Sequence, residues 1–116
     1  MSEAFPVEFL DDAAFMSVDA LPEPHCSIAW ELLDHLRRHP RYGKPLEANV
    51  ATGDLSDARS LYVIDFDHER VGWPPPYRIV YRLLPSEKHI ELVQVIWAGE
   101  RDSLHVYRVA ARRLGR

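Results

Sequence analysis

The 116 residues contain a single cysteine, Cys26, and a lone thiol forms neither an internal disulfide nor a thiolate metal cage, which points to a reducing compartment. Its place ahead of an apolar helical pattern reads as a buried, inert side chain. No apolar run reaches the ~18–20 residues that a membrane span needs, and Met1 to Pro6 lack the basic and apolar segments of a secretory signal. The expectation is a cytoplasmic protein with no membrane partner. Internal repeats and low-complexity segments are also missing. What is present, 47% hydrophobic and 28% charged residues, is the composition of an ordinary folded chain and excludes the disordered class. The length suits one domain over residues 1–116.

Negative charge is scarce in one half of the chain. Residues 1–69 carry five Lys and Arg against fourteen Asp and Glu, net −9, whereas residues 70–116 carry nine against four, net +5. A basic C-terminal end on an acidic chain can attract an anionic partner such as nucleic acid or an acidic peptide, while the rest of the surface keeps the protein soluble. An unremarkable charge dipole is the competing reading.

The periodicity of the side chains gives the element order. Phe5 to Leu10 reads as a short strand, Val7 and Phe9 alternating with Glu8. Asp11-Asp12 then offers a cap and first-turn acids to a brief helix with Ala13, Ala14, Phe15, Val18 and Leu21 on its apolar face, stopped by Pro22 and Pro24. Ile28, Leu32, Leu33 and Leu36 fall at helical spacing in a second helix closed by Pro40. Arg41 to Ser56, punctuated by Gly43, Pro45, Asn49 and Gly53-Asp54, reads as a connecting loop. Three strands follow, Arg59 to Phe66, Tyr77 to Leu84 and His89 to Ala98. The last is apolar on both faces, Leu92, Ile96 and Ala98 against Val93, Val95 and Trp97, which predicts a central strand covered on both sides. Tyr77 to Arg82 instead puts Arg78 and Arg82 on one face and Tyr77, Ile79 and Tyr81 on the other. Asp102 to Leu114 is expected as a helix with Leu104, Tyr107, Ala111 and Leu114 along its stripe. The result is an α+β fold of order β-α-α-β-β-β-α, a helical hairpin packed on a mostly antiparallel four-stranded sheet.

Several segments of that order resemble the RelE/ParE toxin superfamily. They are Gly43-Lys44-Pro45-Leu46, Gly53-Asp54-Leu55 through Arg59-Ser60-Leu61, Tyr77-Arg78-Ile79-Val80-Tyr81, Val95-Ile96-Trp97-Ala98-Gly99-Glu100-Arg101 and Val106-Tyr107. The likeness covers roughly residues 43–110, with the helical hairpin agreeing in pattern. It implies the toxin of a toxin–antitoxin system, with a cognate antitoxin protein as partner and no metal or cofactor. The superfamily includes ribosome-dependent mRNA endonucleases in which a ribose 2′-hydroxyl attacks the adjacent phosphate, so mRNA and the ribosome are implied as further partners. The resemblance places Arg78 and Arg101 on the phosphate, where a planar guanidinium grips oxygens in pairs, and Tyr107 against the base or the scissile phosphate. Lys44, Arg59, Arg82, Arg112 and Arg113 are the remaining RNA-binding candidates.

The chain departs from the endonuclease pattern in one strand. Arg59 to Phe66 carries Asp65 and no lysine, where active members tend to carry lysines or a His/Glu pair. Asp65, Asp67, His68 and Glu69 are the nearest substitutes for a general base, although a carboxylate cluster repels a phosphate. Three readings stay open: an mRNA-directed toxin; a ParE-like module acting by protein binding, for example on DNA gyrase; and a fold relative retained only to bind. Three lesser signals have simple explanations. His35 and His39, four apart, lack a third metal ligand and read as a solvated helix face. The acidic cluster lacks the spacing of a calcium loop and reads as a polar hairpin end. Trp73-Pro74-Pro75-Pro76 reads as a stiffened loop more simply than as a polyproline recognition segment.

Overall fold

The computed structural model describes residues 4–49, 52–67 and 70–116. Strand β1 (Val7–Phe9) leads into helix α1 (Asp12–Asp19), which starts where Asp11 Oδ1 accepts the Ala14 N–H at 2.9 Å, a side-chain cap that satisfies one orphan donor of the first turn. Helix α2 (His25–Leu36) follows Pro24 directly and buries Ile28, Ala29, Leu32, Leu33 and Leu36, the stripe that the 3.6-residue spacing predicts. Each fully buried leucine or isoleucine on it is worth about 1.5–3 kcal/mol of removal from water.

The main sheet has five strands in the order β1-β7-β6-β5-β2, with β1 parallel to β7 and every other pairing antiparallel. Its long members are β5 (Ala58–Tyr62), β6 (Tyr77–Pro85) and β7 (Ile90–Glu100). Residues 41–56, expected as a loop, contribute three two-residue strands among their described residues. These are β2 (Lys44–Pro45), which pairs with β5, and β3 (Ala48–Asn49) and β4 (Gly53–Asp54), which pair with each other. β2 is formed by pairing with the distant β5, whereas β3 and β4 make a local hairpin too short to show a two-residue period, and Pro45 is tolerated because β2 is the sheet's edge. The sheet therefore gains a fifth strand over the expected four. Strand β5 ends at Tyr62, earlier than the apolar run to Phe66 suggests, because Ile64 N–H turns back to Tyr62 O at 2.9 Å.

Both faces of β7 are covered, as its composition predicts, but the alternation is broken. Val80 stands opposite Trp97 and Tyr81 opposite Val95, leaving Ile96 as the extra residue of a β-bulge. Val93, Val95 and Ala98 consequently face the α1–α2 hairpin, and Ile96 and Trp97 face the other side. The uninterrupted two-residue period of the sequence put Ala98 with Ile96; one inserted residue reverses that parity.

On that second side lies α3 (His105–Arg113), entered through a short 3₁₀ turn (Asp102–Leu104) in which Ser103 and Leu104 adopt left-handed φ values of 54° and 58°. This turn sends Leu104 outward, 39% exposed, and the buried face becomes Val106, Ala110 and Ala111, with Tyr107 and Leu114 at its margin. The expected stripe through Leu104 is thus displaced. Small side chains let α3 come close: a methyl on Gly53 of β4, whose φ is +105°, would stand 3.0 Å from Ala111 Cβ.

Candidate functional site

The α3 side of the sheet opens into a cleft. Strand pleating puts Ala58, Ser60 and Tyr62 of β5 on this side and Arg59 and Leu61 on the hairpin side, and the short β3–β4 ribbon forms the opposite wall. The cavity of about 370 Å³ is bounded by the Lys44–Ala48 segment, Thr52, Leu55, Ser60, Tyr62, Leu104 and Tyr107. A second cavity of about 230 Å³ adjoins it, sharing Lys44, Ser60 and Tyr62 and adding Tyr42 and Ile64. On the floor, the hydroxyls of Ser60 and Tyr107 share a hydrogen bond of 2.9 Å. Ser60 is buried and Tyr107 half-buried, and the pair is held where α3 packs across β6 and β7.

Arg78 and Tyr62 sit directly opposite each other across the β5–β6 ladder. The Arg78 guanidinium lies 3.8 Å from the centre of the Tyr62 ring and donates to the carbonyl oxygens of Pro75 and, at 3.2 Å, of Tyr77. Only 5% of Arg78 is exposed. A buried guanidinium of this kind, stacked on an aromatic face with Nη1 donating to two carbonyl oxygens, is held as a structural element. Outside it, Trp73 packs against Tyr62 with ring centres 5.8 Å apart.

The other sequence-derived candidates are distributed as follows. Lys44 lines both cavities. Arg101 is exposed at the end of β7, its backbone N–H bonded to Pro76 O at 2.9 Å, so it stands at the same end of the sheet as Arg78. Arg112 is exposed on α3. Arg82 donates to Gln94 at 2.8 Å and lies 3.8 Å from Asp57, while Arg113 is bound to Asp11 and stacks on Trp97. Arg59 is away from the cleft, bridging Glu87 and the carbonyl oxygens of Arg41 and Gly43. Tyr107 and Lys44 thus meet in one cleft and Arg101 stands free on a nearby strand end, whereas Arg78, Arg59, Arg82 and Arg113 are committed to protein partners.

Sequence reasoning passed over Ser60 and Tyr62. The signal that finds them is the two-residue period of β5 combined with its register, which sets Ser60 beside Lys44 and Val80 and Tyr62 beside Arg78. Of the proposed substitutes for a general base, Asp65 is buried and accepts the Arg70 N–H at 3.2 Å, Asp67 is exposed, and His68 and Glu69 fall outside the described residues. Among the described residues no group of three or more metal-ligating side chains forms. His39 is exposed and His35 half-buried. Their rings stack at 4.4 Å, and His35 also meets Tyr42 and Phe66; burial, then the neighbouring His39, holds the His35 imidazole below its usual pKa. Cys26 is half-buried, its Sγ 3.6 Å from the carbonyl oxygens of Val18 and Asp19. No described helix is long and apolar enough to cross a membrane.

No protein-family model and no curated protein matches the sequence. Solved structures do. A doubly mutated form of the E. coli toxin RelE in the free state superimposes with a TM-score of 0.64 at 20% identity, over 96% of this chain and 98% of that one. The chain has the RelE fold. The RelBE2 toxin–antitoxin complex of Mycobacterium tuberculosis supplies a second RelE-like match, with a TM-score of 0.56 at 20% identity over 87% of this chain and 95% of the other. The RelE fold accounts for the helical hairpin on one face of the sheet and the C-terminal helix on the other.

Proposed function

We propose that this chain is the toxin of a toxin–antitoxin pair, a single domain of the cytoplasm that engages mRNA on the ribosome through the cleft between β2, β5 and α3. The observation that carries this reading is the Ser60–Tyr107 hydroxyl pair on the cleft floor, set beside Lys44 in a fold shared with RelE over nearly the whole chain. Tyr107 and Arg101 occupy the positions that the superfamily resemblance assigns to base or phosphate contact. In a cleavage step the 2′-oxygen bonds to phosphorus while the bond to the 5′-oxygen breaks. One proton leaves the 2′-hydroxyl and one reaches the 5′-oxygen. In this reading the two hydroxyls relay such protons and Arg101 neutralises the charge gathering on the phosphate. A cognate antitoxin, as in the RelBE2 complex, would restrain the toxin by covering this side.

Induced expression followed by mapping of mRNA ends tests the reading: translation-dependent cuts in the wild type, lost with Arg101→Ala, are expected. Harmless expression with no change in mRNA overturns it.

The burial of Arg78 favours a second reading, an mRNA- or protein-binding toxin that does not cleave. With this guanidinium stacked on Tyr62 and bonded to carbonyls, the cleft has one fewer cation for a transition state. Growth arrest with intact mRNA distinguishes the two.

A further inference from the structure

Trp73 is the most exposed of the large apolar side chains described, at 65%, and it is presented by a loop that Pro74, Pro75 and Pro76 stiffen. An indole at the surface offers a large, polarisable face on which a planar group can stack. It stands against Tyr62, which lines both cavities, and Tyr62 is itself immobilised because Arg78 fills one face of its ring. Two aromatic rings are therefore fixed at the rim of the cleft, tilted 44° to each other.

The charge nearby indicates what such a rim selects. Among the residues lining the larger cavity, Lys44 is the one cation and Glu47 the one carboxylate, so a phosphate held beside Lys44 leaves the rest of the wall without a cation. A neutral, planar, polarisable group is favoured there instead. Unpaired nucleobases have that chemistry, and proteins hold single-stranded RNA by stacking its bases on aromatic side chains beside a cationic track. Arg101, exposed and with its backbone N–H bonded to Pro76 O of the same loop, supplies a cation for the backbone of the same strand.

We infer that Trp73 and Tyr62, braced from below by Arg78, form a base-stacking platform that holds one unpaired nucleobase of single-stranded RNA at the rim of the cleft. The inference rests on the RNA-directed reading above and adds a recognition element to it. It also gives Arg78 a task that its burial permits, that of a positioning residue acting through the Tyr62 ring.

The test uses fluorescence anisotropy with a labelled oligouridine RNA and an abasic ribose-phosphate RNA of equal length, against the wild type, Trp73→Ala and Trp73→Phe, with urea midpoints to confirm folding. Trp73→Ala is expected to weaken oligouridine binding about 5- to 100-fold, Trp73→Phe to retain most of the affinity, and neither to alter binding of the abasic chain. Equal affinity of Trp73→Ala and wild type for oligouridine overturns the platform, as does equal weakening toward both RNAs. If Trp73→Ala does not fold, the wild type alone decides, because binding oligouridine no more tightly than the abasic chain also overturns it. These failures leave RNA binding standing, whereas a wild type that binds neither RNA removes the RNA-directed reading and the platform together.

Discussion

Arg78 and Tyr62 face each other across the β5–β6 ladder with the guanidinium 3.8 Å from the ring centre, and this contact decides how Arg78 responds to mutation. Removing a buried cation takes the Arg78 donor from the Pro75 carbonyl oxygen, leaves Tyr77 O with the Val63 N–H alone and leaves the Tyr62 ring without support. Arg78→Ala is expected to cost roughly 2–4 kcal/mol of stability, since hydrogen bonds to charged groups are each worth about 1.5–3 kcal/mol. Urea unfolding measures it; an unchanged midpoint would show Arg78 to be dispensable to the fold.

Arg101 gives the contrasting case. Its side chain is exposed, so Arg101→Ala should move stability by no more than about 0.5 kcal/mol while relieving growth arrest on induced expression. Stability and toxicity measured on the same two variants separate a fold-building arginine from a substrate-facing one.

Tyr81 anchors the opposite side of the sheet. Its buried hydroxyl donates to Pro40 O at 2.8 Å and accepts the Gly43 N–H at 2.8 Å, and burial pushes its pKa from 10.0 up to about 12. The raised folded-state value favours the protonated form. The corresponding stability is fully present below pH 10 and is lost as pH rises from there through about 12. Absorbance at 295 nm should show one tyrosine ionising only near the top of that window, and stability should decline across it. Tyr81→Phe, which strands two buried polar groups, is expected to cost about 1–3 kcal/mol and to remove this step.

Gly43 is bound to the same ring. A methyl there would stand 2.7 Å from Tyr81 Cε1 and Oη and 3.0 Å from Ser60 O, and Tyr81 is fully buried, so it has nowhere to retreat. Gly43→Ala should destabilise by about 1–3 kcal/mol as an overpacked site, measured by thermal or urea unfolding. In Tyr81→Ala, which empties the space, that penalty should shrink.

Tyr107→Phe removes one hydroxyl of the cleft-floor pair. Its cost in stability should be small, about 0.5–1.5 kcal/mol. A nucleolytic toxin loses mRNA cleavage with this change, whereas a binder that works by stacking and charge keeps its arrest, so mRNA integrity in the variant strain discriminates the two readings.

The parts of this fold that are legible in the sequence are those whose signal is local. The β-branched runs of β6 and β7, the Asp11 cap and the α2 stripe each announce themselves within a dozen residues. The parts that are not legible depend on contacts far along the chain. Strand β2 exists through its pairing with β5, and the bulge at Ile96 reverses the parity of Ala98 without any glycine or proline to mark it. An arginine on a strand face reads as solvated. The burial of Arg78 arises because a loop three residues upstream and a tyrosine on the neighbouring strand enclose it. Tyr107 was found by resemblance, and its partner Ser60 becomes visible only once the β5 register is known.

The central claim is that RNA occupies the cleft between β2, β5 and α3. Crosslinking the protein to translating ribosomes that carry 4-thiouridine-labelled mRNA, followed by mass spectrometry of the crosslinked peptides, tests it most directly. Crosslinks to β5, to α3 or to the Trp73 loop are expected. Crosslinks confined to the α1–α2 hairpin, or none to mRNA at all, would contradict it.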